Sequence, residues 1–156
     1  MENDVILSVK NLEVEFITDD GPVKVLHGVN FDVRAGRTLG LVGESGSGKS
    51  VTSMSIMGLL PKPYGNIVNG EIDYRGTNLV TLPAEKMYAM RGDRISIIFQ
   101  DPMTALNPVH SIGRQLCEVL ELHRPELGKK EREAYAIEML AKVKIPMPEK
   151  RLNEYP

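Results

Sequence analysis

A chain of 156 residues, 42% apolar and 26% charged, is long enough for one domain with a real core. Its net charge of −2, with acids and bases mixed and no basic stripe, argues against nucleic acid as the main partner. The single cysteine, Cys117, excludes an internal disulfide and a C-x-x-C zinc site, and fits a reducing compartment.

Met1-Glu2-Asn3-Asp4 lacks the basic-then-apolar layout of a signal peptide, and no run approaches the roughly 20 apolar residues of a membrane helix. Val5 to Val9 reads as a first strand, and Leu12 to Phe16 alternates apolar and acidic as a half-exposed strand does. Asp19 to Pro22 is a turn, Val23 to Leu26 returns antiparallel, and Val29 to Val33 is another alternating strand. Ala35-Gly36-Arg37 turns the chain into Thr38 to Val42, a short apolar run expected to be a buried parallel strand.

Directly after it comes Gly43-Glu44-Ser45-Gly46-Ser47-Gly48-Lys49-Ser50, which fits G-x-x-x-x-G-K-S/T, the phosphate-binding loop. Backbone N–H groups that converge on phosphate oxygens need φ/ψ values that only glycine reaches cheaply. Lys49 brings a point charge to the β- and γ-phosphates, and Ser50 offers a hydroxyl to Mg²⁺. Ser45, Gly46, Ser47 and Gly48 contribute mainly backbone N–H groups. Val51 and Thr52 lie where the following helix turns its N-terminus toward the α-phosphate, although Thr52 also reads as an ordinary helix residue. That helix is expected from Val51 to Leu60, with Pro61 stopping it. A glycine-rich surface turn is the plain alternative, and the strand–loop–helix order speaks against it. The dinucleotide pattern G-x-G-x-x-G is not met, because its third glycine would fall at Val51.

Pro61 to Asn66 reads as a loop, Gly70 to Gly76 as a strand closed by a turn, and Pro83 to Met90 as a short helix. Arg94 to Phe99 is a second β-rich run, and Asp101 to Pro108 is a loop. Ile112, Leu116, Val119 and Leu120 lie at helical spacing, as do Ala134, Ile137, Leu140 and Ala141. Pro125 to Gly128 separates these helices, and Ile145 to Pro148 breaks the second. The fold class is thus α/β: a P-loop NTPase core with an antiparallel β layer and a partial α-helical section. Residues 1–100 are expected to form the ATP-binding core portion and residues 101–156 a second, mainly helical portion.

The combination resembles the ATP-binding subunit of ABC transporters along the whole chain. Gly43 to Ser50 is similar to the family's Walker A motif, Phe99-Gln100-Asp101-Pro102 to its Q-loop, and Phe16 sits where its adenine-stacking aromatic sits. Glu44 within the loop, Ile56 to Pro61, Phe99 to Pro108 and the closing R-L-N-E-Y-P resemble oligopeptide/dipeptide importer ATPases; the Met103-Thr104 variant resembles their D-type subunit. The resemblance implies ATP and Mg²⁺ as ligands. It assigns catalytic roles to Lys49 and Gln100, with Ser50 and Gln100 contacting Mg²⁺. It also implies a second ATP-binding subunit, either a homologous F-type chain or another copy, and two transmembrane permease subunits met near the Q-loop and helical section. The place would be the cytoplasmic face of the membrane, held peripherally, and the solute a peptide, nickel or another small solute.

The family's S-G-G signature, Walker B Asp with its catalytic Glu, and switch His have no counterpart in the sequence. The chain therefore resembles the N-terminal portion of a longer ATPase and is expected to be inactive in hydrolysis by itself. A soluble non-transport P-loop NTPase and a non-catalytic nucleotide-binding fragment stand as alternatives. No N-K-x-D guanine motif is present, and no cysteine pairs like those of zinc-bearing repair ATPases. Phe16 also fits a plain core-facing strand residue, and Gln100 a plain strand-end polar residue. His27, His110 and His123 are scattered and read as surface or core residues, Cys117 as packing, and Lys129 to Glu133 as a solvated helix start.

Overall fold

The structure, a computed structural model, describes residues 4–101 and 105–156. They fall into two compact units that divide between Arg91 and Gly92.

The first unit is built on an antiparallel sheet of strands β1 (Val5–Thr18), β2 (Gly21–Arg34), β3 (Gly65–Tyr74) and β4 (Thr77–Asn78), in the order β2-β1-β3-β4. The four short strands expected before the phosphate loop are two long ones. β1 runs through Lys10 and Asn11 by a bulge, with Asn11 at φ +48 and its N–H donating to the Asn30 side-chain oxygen at 2.8 Å. Opposite the bulge only glycine fits: a Cβ on Gly70 would lie 2.5 Å from the Asn11 carbonyl oxygen. Two-residue turns join β1 to β2 (Asp19-Asp20) and β3 to β4 (Arg75-Gly76), the latter with both residues at positive φ, as a type I′ hairpin needs. Val9, Leu12, Val14, Leu26 and Ile72 are buried together and form the core of the sheet face.

Helix α1 (Lys49–Ile56) follows the glycine-rich loop, and α2 (Ala84–Met90) begins directly after Pro83. α1 ends four residues earlier than Leu60, where the sequence pattern placed its end. Gly58 takes φ +61, its N–H donates to the Ser55 carbonyl, and the Leu59 N–H donates to the Met54 carbonyl at 2.8 Å. This pair of bonds closes the helix through a left-handed glycine before Pro61 can act.

Neither the parallel strand expected at Thr38 to Val42 nor the β-rich run expected at Arg94 to Phe99 forms a strand. Thr38 to Val42 runs without a ladder partner among the described residues, and Val42 is 91% exposed. Ile98, in the run expected as a strand from Arg94 to Phe99, is 96% exposed. The physical reason is that a strand exists only through its neighbours' hydrogen bonds, and no described segment supplies them here.

The second unit carries helices α3 (Ile112–His123), α4 (Lys129–Lys142) and α5 (Pro148–Arg151). The Ser111 hydroxyl caps α3 by accepting from the Arg114 N–H. The first amides of α3 find partners in the C-terminal segment: Ile112 N–H donates to the Glu154 carbonyl and Gly113 N–H to that of Leu152. Leu120 and Ala136 are buried between the helices.

Candidate functional site

Residues 43–52 form one continuous structure. Ser47 N–H closes a turn on the Glu44 carbonyl at 3.2 Å, and Gly46 and Gly48 take φ +81 and +91. Three places demand glycine in different ways. Gly46 and Gly48 need the left-handed region. Gly43 needs the space, because a Cβ there would lie 2.6 Å from Ser47 Oγ. At Gly48 the two demands meet, for a Cβ would also come within 2.4 Å of Leu26 Cδ2. Gly48 is buried against β2, so the sheet leaves no room for a side chain where the loop meets α1.

Lys49 folds back over the loop it follows. Its Nζ donates to the carbonyls of Gly43 at 2.8 Å and Glu44 at 2.6 Å, and lies 3.2 Å from Ser47 Oγ. The ammonium is thereby held above the turn, on neutral acceptors that an anion outcompetes. Glu44, Ser45, Gly46, Ser47 and Ser50 are exposed around it. The first N–H groups of α1 have no intrahelical partners and sit at the positive end of its dipole. Thr52 is 2% exposed; its N–H and its hydroxyl both donate to the Gly48 carbonyl, at 2.8 and 2.9 Å. What Thr52 contributes is therefore the junction of loop and helix. Val51 is half-buried beside it.

This arrangement fits a polyphosphate: glycines that let backbone approach, a lysine ammonium over the turn, and a helix N-terminus. For a divalent cation it offers the exposed hydroxyl of Ser50 as an oxygen donor. No group of three His, Cys, Asp or Glu able to hold a metal occurs among the described residues. A Mg²⁺ here would draw its remaining ligands from phosphate and water, as that ion commonly does.

Phe16 is half-buried near the end of β1, paired with Val23 and Gly65. Its ring packs over Gly65, where a Cβ would lie 3.1 Å from Phe16 Cε1. Gln100 is exposed in the second unit. Pro102, Met103 and Thr104 of the expected Q-loop tract lie outside the described residues, as do Met1, Glu2 and Asn3.

Burial, then the Glu133 carboxylate, pushes the Cys117 thiol above its usual pKa, away from a reactive thiolate. Sequence reasoning passed over Gln115, which clamps the preceding loop onto α3. Its side chain donates to the carbonyls of Asn107 and His110 and accepts from the Asn107 N–H at 2.8 Å. It passed over Arg91 as well, whose guanidinium grips the end of α1. A polar residue at a helix end carries no signature of such bonds.

Comparison with known proteins shows the family and the fold. The family described as "ABC transporter" matches residues 26–156. The chain belongs to the ABC transporter family. It is 49% identical over 151 residues to the oligopeptide transport ATP-binding protein OppD of Bacillus subtilis, covering 97% of this chain and 42% of that one. Against a probable peptide ABC transporter ATP-binding protein, y4tR, of Sinorhizobium fredii, identity is 48% over 153 residues, covering 98% and 45%. The dipeptide transport ATP-binding protein DppD of Bacillus subtilis is 48% identical, with 97% and 45% covered. The chain thus spans less than half the length of these relatives. Among solved structures, the dimeric bacterial ABC transporter cassette MJ0796 superposes with a TM-score of 0.80 at 22% identity, over 96% of this chain and 61% of that one, which establishes the fold. A second structure of that cassette is bound to ADP and Pi at the same TM-score. No helix among the described residues is long and apolar enough to cross a membrane.

Proposed function

We propose that the chain supplies the phosphate-binding part of an ATP-driven peptide importer's ATPase subunit. The observation that carries this reading is Lys49 poised over the Gly43–Ser47 turn at the head of α1, in a chain whose relatives are named for peptide transport. ATP is the ligand. Lys49 meets the β- and γ-phosphates. Backbone N–H groups from Gly43, Ser45, Gly46, Ser47, Gly48 and Val51 line the phosphates, with Thr52 fixing the helix start. Ser50 holds Mg²⁺, joined by Gln100, which also orients the attacking water. Phe16 presents its ring to adenine; stacking of this kind contributes on the order of 1 kcal/mol.

The reaction in the assembled transporter is phosphoryl transfer to water, in which the protein positions groups and stabilises charge. A second ATP-binding subunit completes the site, and two permease subunits receive the signal from Gln100 and the helices after it. The assembly works at the cytoplasmic face of the membrane, with a peptide or related small solute as cargo. The 156 residues by themselves bind Mg-ATP without meaningful turnover.

Calorimetric titration of the chain with Mg-ATP tests the reading. Saturable binding that Lys49→Ala reduces at least tenfold is expected, in line with the loss of a charge-assisted phosphate contact of about 1.5–3 kcal/mol. Binding indifferent to Lys49 would count against it. A steady ATPase rate that Lys49→Ala abolishes would overturn the claim that the 156 residues do not turn over.

A further inference from the structure

The C-terminal end of α1 is held from another element. Arg91 follows α2, its N–H donating to the Met87 carbonyl at 3.1 Å. Its guanidinium donates from Nε to the Met57 carbonyl at 2.8 Å and from Nη2 to the Gly58 carbonyl at 2.7 Å. The Tyr88 ring centroid lies 5.3 Å from the guanidinium carbon, a cation–π arrangement that steadies its plane. Met87, itself buried, packs at the same spot: a Cβ on Gly58 would meet Arg91 Nη2 at 3.0 Å and Met87 Cγ at 3.6 Å. A fork of two N–H groups thus lands on the two carbonyls that end α1, with positive charge at the negative end of its dipole.

α1 has only eight residues. A helix that short has little stability of its own, so its axial position is set by what holds its ends. A slip of one residue would carry Lys49 and Ser50 along by about 1.5 Å. Errors of that size degrade a site built on positioning.

We propose that Arg91, by its forked grip on the carbonyls of Met57 and Gly58, is a positioning residue that sets where α1 presents Lys49 and Ser50 to phosphate. The inference rests on the phosphate-binding reading of the loop.

The test measures Mg-ATP affinity and amide hydrogen exchange across α1 in the full chain, for wild type, Arg91→Ala, Arg91→Lys and Ile72→Val. Arg91→Ala is expected to weaken Mg-ATP about tenfold and to speed exchange in α1 with nucleotide absent. Arg91→Lys, a point charge that cannot fork, recovers part of the affinity. Ile72→Val lowers the unfolding midpoint from a buried position in β3, yet keeps affinity within about twofold of wild type. The inference is overturned if Arg91→Ala binds Mg-ATP as wild type does, or if Ile72→Val loses as much as Arg91→Ala. A wild-type chain that does not bind Mg-ATP overturns the reading of the loop instead. In that case unchanged α1 exchange in Arg91→Ala overturns the grip separately.

Discussion

Lys49 donates to two backbone carbonyls that belong to the same loop it guards. Those bonds keep the ammonium above the turn while leaving it to be claimed by a stronger, charged acceptor. Gly48 carries the other half of the arrangement, since it must be left-handed and must also leave room for Leu26. Gly48→Ala is expected to destabilise the first unit by about 1–3 kcal/mol and to weaken Mg-ATP, read by thermal unfolding and titration. Away from the site, the hydrogen bond from Lys24 to Glu13 at 2.7 Å holds the Glu13 carboxyl below its usual pKa. A carboxyl whose folded pKa is lowered stabilises above its unfolded pKa, and that contribution fades as pH falls through the folded value. The melting temperature should therefore drop on acidification below about pH 4.5 less steeply in Glu13→Gln than in wild type. The difference is expected to be small, because the pair faces solvent.

At the scale of elements, the order of glycine-rich loop and helix was legible because the residue types are dictated by backbone geometry and charge, although α1 starts at Lys49, two residues before the expected Val51. The end of α1 was legible only in part. Pro61 is a loud stop signal, but Gly58 acts first by closing the helix in the left-handed region. Gly58→Ala is expected to cost about 1–2 kcal/mol in unfolding free energy, from strain at that φ and crowding against Arg91. The bulge at Asn11 was not legible, since alternation on either side of it read as two strands. The expected strands at Thr38 to Val42 and Arg94 to Phe99 have the right composition, but composition does not supply a partner. Pairing between distant segments is a property that local pattern cannot carry. The roles expected of Phe16 and Gln100 rest only on resemblance, because a half-buried aromatic on a strand and an exposed glutamine have nothing distinctive in their local pattern.

For the molecule as a whole, the exposed apolar tract at Leu39, Leu41 and Val42 and that at Ile98 and Phe99 make self-association the expected behaviour of the 156 residues in isolation. Sedimentation should show average mass rising with concentration, and Val42→Lys should lower that tendency. A monomer at every concentration would contradict this. The central claim, that the loop from Gly43 to Ser50 is a triphosphate cradle, is tested most directly by following backbone amide resonances during a Mg-ATP titration. The expected result is that the amides of Gly46, Gly48, Lys49 and Ser50 shift first and furthest, and that Lys49→Ala removes those shifts. Shifts that leave these four amides still while another part of the chain responds would contradict the account.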